Sequence, residues 1–167
     1  FNVAGTLQSG GVSVSNAPSF YAKLSANQAY GSTGAITKVA CNTEYWDTDS
    51  AYDNSSNYRF TPQSAGKYMV HGCIYVATFA TDSIAGQTVY VKKNGGNYQG
   101  VTGGGFAYNS NEFNAAGTPF AIVVDMNGSS DYVEVYTQVT FNSGTCEIQY
   151  DNNGTPTFWG AYKLIGI

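Results

Sequence analysis

The chain carries one histidine, three cysteines and eleven acids, and these few groups bound the chemistry available to it. His71 stands two residues before Cys73 in "KYMVHGCIYV". In an extended strand that spacing puts both side chains on one face, the starting geometry for a Cys–His nucleophile pair or a metal site. No nucleophile-elbow motif accompanies them. A single imidazole beside an apolar thiol is expected instead as an interior or interface residue, and any hydrolytic triad would have to use His71.

The run "NTEYWDTDSAYDNSSN" gathers Glu44, Asp47, Asp49 and Asp53, hard oxygen donors of the kind calcium takes. It fails the EF-hand spacing, because the third ligand position is Ala51 and the required glycine is Tyr52. It reads as a solvated loop, with Asp47, Asp49 and Asp53 as the ligands if calcium binds; no other cofactor is expected. "VTGGGF" at 101–106 lacks the Lys-Ser/Thr ending of a phosphate loop and reads as surface loop. Eleven acids allow many carboxylate pairings for glycoside cleavage, and nothing singles one out.

What the chain has in quantity is aromatic surface. Aromatics make up 15% of its 167 residues, with fourteen tyrosines, against only 11% charged residues and a net charge of −4. Without a Lys/Arg cluster, nucleic acid and anionic membrane are poor partners. No stretch reaches the eighteen or so apolar residues of a membrane-spanning helix, and no signal region opens the chain. Cys41, Cys73 and Cys146 are far apart and odd in number, so they are expected as free, buried, apolar side chains. The first residue is Phe1, and a preceding part of the natural protein is expected.

Residues 1–17 alternate too briefly to bury a core and read as a linker or the end of a fibrous stalk. From residue 18 to 167 strand signals alternate with turns, at 19–24, 35–42, 67–78, 88–93, 119–126, 132–141, 145–150 and 158–167. "KNGG", "MNGS" and "NNGT" supply Asn-Gly pairs suited to tight hairpins. No stretch has helical periodicity, so the fold class is all-β: an antiparallel β-sandwich or jelly roll.

Two strands are apolar on both sides. In "FWGAYKLIGI", Trp159 and Ala161 share one face while Phe158, Tyr162 and Leu164 share the other; in "KYMVHGCIYV", Tyr68, Val70, Ile74 and Val76 oppose Met69, His71, Cys73 and Tyr75. A strand dry on both faces needs two covers, and the second is expected to come from another chain. Aromatics between strands, Tyr45, Trp46, Tyr52, Tyr98, Phe106, Tyr108 and Phe113, are candidates for stacking on sugars or anchoring a protein contact. They place the contact loops at 45–58 and 98–113.

These residues resemble the trimeric jelly rolls of the complement C1q head and tumour necrosis factor (TNF) type. Phe60, Gly66 and Tyr68 stand at that family's spacing, as do Asp47 and Tyr52, the "KNG" hairpin at Lys93, Asn94 and Gly95, and the closing Phe158, Gly160, Tyr162 and Leu164. The wording of 7–53 is most like the versions found at the tips of bacteriophage fibres and on other virion proteins. The resemblance implies a homotrimer whose interface includes Tyr68, Val70, Tyr75, Val135, Tyr136, Phe158, Trp159, Tyr162 and Leu164. It further implies a virion fibre knob that binds a host-surface glycan or protein, is joined to other virion proteins at its N-terminal end, and is not an enzyme. A capsid decoration protein and a secreted C1q/TNF-like ligand are the alternatives, and three sequons, at Asn54, Asn127 and Asn153, matter only for the last.

Overall fold

The computed structural model describes residues 15–79, 84–104, 114–150 and 157–165, with the backbone of two short strands before them. In chain order the strands are β1 (Gln8–Ser9), β2 (Val12–Ser13), β3 (Ser19–Lys23), β4 (Gln28–Ala29) and β5 (Ile36–Lys38). Next come β6 (Thr43–Asp47), β7 (Tyr52–Asp53), β8 (Arg59–Phe60), β9 (Gly66–Thr78) and β10 (Ile84–Lys93). The last five are β11 (Gly96–Gly104), β12 (Ala115–Met126), β13 (Val133–Phe141), β14 (Cys146–Ile148) and β15 (Phe158–Lys163).

They form two main antiparallel sheets. One runs β12-β9-β15-β3-β6, with β14 and β4 continuing beyond the end of β15; the other runs β11-β10-β13-β8-β7, with β5 also on β13. Each of the eight expected strands is present. The structure adds β4, β6, β7, β8 and β11 where the sequence reads as loop, and β11 incorporates most of the expected glycine loop at 101–106.

Two of the expected hairpins can be followed. Asn94 and Gly95 both take positive φ, 53° and 80°, and turn β10 back onto β11, as a two-residue hairpin requires. The Asn127–Gly128 turn instead carries the chain from one sheet to the other, since β12 pairs with β9 and β13 with β10. The Asn127 side chain accepts from the N–H groups of Ser129, Ser130 and Asp131 to hold that corner. "NNGT" lies outside the described residues.

The sheets close on an aromatic knot. The Phe20 ring stacks on Tyr52 (4.3 Å) and Phe60 (4.9 Å) and meets Trp159 edge-on (4.7 Å), while Phe60 meets Tyr68 at 5.6 Å. All five are almost wholly buried. The spacing that carried the family resemblance is therefore a packing motif: Phe60 and Tyr68 touch, and Asp47 accepts the N–H of Tyr52, presenting its ring to the core. Gly72 passes under this layer, where a Cβ would stand 2.4 Å from the Phe158 carbonyl.

Candidate functional site

Cross-strand partners point to the same side of a sheet, so the register of the β9 sheet can be read as rows. Ala121, His71, Gly160, Tyr21 and Trp46 form one row; Val123, Met69, Tyr162 and Ser19 lie on one side of it, and Pro119, Cys73, Phe158 and Lys23 on the other. These residues face away from the core. Apart from Gly160, whose bare backbone is buried, none is buried, in contrast to Tyr68, Val70, Ile74 and Val76 on the alternate positions of β9.

A bulge enlarges the aromatic part of this face. The β3–β6 register shifts between Tyr21 and Ala22, leaving Tyr45 as the extra residue. A bulge of this kind turns neighbouring side chains out of strict alternation, and Tyr45 and Trp46 both lie against Tyr21, at 5.2 and 5.1 Å. Phe158 stacks on the same ring at 5.1 Å. Trp46 is 51% exposed and Tyr45 59%, so the single chain leaves a ridge of stacked rings in water. Exposed apolar surface contiguous over several strands marks an interaction site.

Polar groups are sparse there. Lys23 lies over the Tyr45 ring at 5.1 Å, and Lys67 pairs with Asp125 near one end of the β9–β12 pair. His71 occupies the central row, its ring edge-on to Tyr162 at 5.8 Å. Partial burial holds its pKa below the ordinary value and raises that of the Cys73 thiol. Cys73 is thus half-buried, unlike the buried Cys41 and Cys146, and all three thiols are free. Gly160 is glycine because a Cβ would stand 2.5 Å from the Phe20 carbonyl, and its bare backbone separates His71 from Tyr21.

Of the residues expected at a trimer interface, Tyr75, Phe158 and Tyr162 lie on this face, and Leu164, half-buried, follows β15. Tyr68, Val70, Val135 and Trp159 do not: each is fully buried between the protomer's own sheets, and that assignment is corrected. Tyr136 is outward on the opposite sheet, between Lys38 and Lys92. Met69 and His71, read from the β9 alternation as the face needing a second cover, belong to it, and so do Tyr21 and Val123, which the sequence reading did not place there.

The expected contact loops also divide. Tyr45 and Trp46 are on the β6 strand beside the aromatic ridge, and Tyr98 is 45% exposed on β11, at the opposite flank of the sandwich. Tyr52 is a core residue, its hydroxyl donating to the Cys41 carbonyl, so its assignment as a contact is corrected. Phe106, Tyr108 and Phe113 lie outside the described residues.

The acidic run is occupied with its own turns. Asp47 accepts the N–H groups of Ala51 and Tyr52, while Asp53 accepts those of Ser55, Ser56 and Asn57. Each carboxylate closes its own turn, and Asp49 sits at positive φ between them. Among the described residues no three metal-ligating side chains come together.

No protein-family model matches the chain, and no curated protein matches it either. Solved structures do. Mouse APRIL at pH 8.5 superimposes with a TM-score of 0.54 at 12% identity, over 87% of this chain and 98% of its own. Eiger TNF from S. frugiperda gives 0.53 at 12% identity, over 89% and 93%. The chain thus has a TNF-like jelly-roll fold.

Proposed function

We propose that the protein is a homotrimeric binding knob, in which two sister chains supply the second cover of the β9–β15 face. One observation carries this reading: the stacked rings of Tyr45, Trp46, Tyr21 and Phe158 continue into Met69, Tyr162 and Val123 across the whole sheet, on the side away from the core. The TNF-like fold supports the same assembly, since its resemblance family packs this sheet around a threefold axis. Interfaces of this composition, aromatic and poor in charge, are the sort that hold permanent oligomers together.

The knob acts by multivalent attachment and not by catalysis. Three equivalent sites on one rigid head bind a repetitive surface with an avidity of the order of 10²-fold or more above one site. The composition, low in charge and rich in Ser, Asn, Gly and Tyr, and the short stalk-like strands at the start of the chain support a place at the tip of a virion fibre facing a host-surface glycan or protein. Tyr98 and the segment 105–113 beside it in sequence are the proposed contact region. A secreted ligand is the second reading, supported by the shared fold of mouse APRIL and S. frugiperda Eiger TNF.

Labelled protein titrated onto whole bacterial cells, extracted capsule and lipopolysaccharide tests the first reading. Wild type should bind at least one surface, with Tyr21→Asp binding about 10²-fold more weakly at equal protomer concentration. Equal binding by both, or none to any surface, contradicts it. N-glycan on native protein, found by intact mass, would favour the secreted ligand.

A further inference from the structure

We propose that His71 makes assembly through this face pH-dependent, the complex being stable when the imidazole is neutral and separating when it is protonated. The inference rests on the trimer reading above and adds its regulation.

His71 is the only histidine of the chain and sits at the middle of the face to be covered. It lies on β9, the strand flanked by β12 on one edge and β15 on the other, in the row Ala121, Gly160, Tyr21 and Trp46. None of those neighbours is a carboxylate. On β9 itself the flanking outward residues are Met69 and Cys73, then Lys67 and Tyr75. From β15 comes Tyr162, from β3 Ser19, Tyr21 and Lys23, and from β6 Glu44, Tyr45 and Trp46. The β12 carboxylate, Asp125, stands opposite Lys67 and is paired with it at 2.6 Å. An imidazolium at this place thus has tyrosines, a thiol and lysines for company; the Glu44 carboxylate stands on β6, with β15 and β3 between it and β9.

Covering the face strengthens the effect already present in the single chain, where burial disfavours the charged ring. Desolvation acts only against the protonated form. The separated chains therefore bind the proton more tightly than the complex, and linkage fixes the sign: assembly is complete above the pKa of His71 in the separated chain, itself below the ordinary 6.5, and is lost as pH falls through it. Three copies titrate together, so each pH unit below that range weakens the trimer by up to about 10³-fold, a slope approaching three protons.

Light scattering at constant ionic strength, with reductant present, tests this at about pH 8 and about pH 5.5. Wild type should be trimeric at the first and monomeric at the second, with His71→Gln and His71→Asn trimeric at both. A wild type trimeric at both values overturns the switch and leaves the trimer reading intact. A monomer already at the higher pH overturns both. Loss of the trimer in His71→Gln over the same range as in wild type assigns the transition to another group and overturns the switch. Should the variants fail to fold, the imidazole C–H resonance of the wild type decides: its midpoint should coincide with the mass transition, and a midpoint displaced from it contradicts the proposal.

Discussion

The indole of Trp46 lies on the ring of Tyr21, centroids 5.1 Å apart and planes 20° from parallel, while its chain neighbour Tyr45 reaches the same ring at 5.2 Å. Strict alternation would send Tyr45 and Trp46 to opposite sides of β6. The bulge between Tyr21 and Ala22 brings them together, and a sheet edge that could have been polar becomes an aromatic shelf.

Because these rings are outside the protomer core, folding and assembly should separate on mutation. Trp46→Ser removes one stacked pair within the protomer, about 0.5–1.5 kcal/mol, and shifts the melting temperature by a few degrees. At the proposed interface the same truncation costs about 2 kcal/mol or more in each of three copies. A folded monomer by circular dichroism and light scattering is the expected outcome; an unfolded chain, or an unchanged oligomer, contradicts it.

A pair of glycine substitutions tests the packing behind the face. In Gly72→Ala the new methyl meets the Phe158 carbonyl at 2.4 Å, the Trp159 Cβ at 2.8 Å and the Phe120 ring at 2.9 Å. Two of these are held by backbone, so the cost should be about 3 kcal/mol or more. At Gly86 a Cβ meets nothing within 4 Å, and Gly86→Ala should be neutral or stabilising by up to about 1 kcal/mol. Urea unfolding midpoints of the two variants compare them directly.

The strands with strong period-2 patterns, β9, β12, β13 and β15, are legible from sequence because side-chain alternation is a local property. β11 is not, since "GNYQGVTGG" has little strand propensity of its own; the positive-φ turn at Asn94 and Gly95 lays it against β10. β7 and β8 are two residues each and exist by pairing. The site was half legible for a related reason. Alternation shows that Phe158 and Trp159 point to opposite sides, but when both sides are apolar it cannot say which is inside. Trp159 packs on Phe20 and Tyr52 inside, with its indole N–H unpartnered in the core, and Phe158 stacks outside. Where an aspartate's oxygens point is invisible in sequence, so the run from Glu44 to Asp53 looks like a cation site when Asp47 and Asp53 are spent on their own turns.

The Asp53 turn should appear in acid. Its carboxylate accepts the Ser56, Ser55 and Asn57 N–H groups, which hold its pKa below the ordinary 3.8. A depressed carboxylate stabilises the fold above its unfolded pKa, and that contribution is lost as pH falls through the folded value. Wild type should therefore lose more melting temperature than Asp53→Asn between about pH 6 and about pH 2; parallel loss in both would show that the turn contributes nothing.

Calcium should leave the fold unmoved. Melting curves with millimolar calcium and with chelator are expected to superimpose, because the oxygens of Asp47 and Asp53 already receive backbone N–H groups. A rise of several degrees with calcium would require those turns to open.

The central claim is that the face carrying Trp46, Tyr21, Phe158, Tyr162 and His71 is covered by sister chains. Its most direct test is the solution mass of the wild-type protein by light scattering at about pH 8, where His71 is neutral. The account predicts a mass near three times the 17.7 kDa of the chain. A mass equal to one chain, at micromolar concentration and with the protein folded, would contradict it.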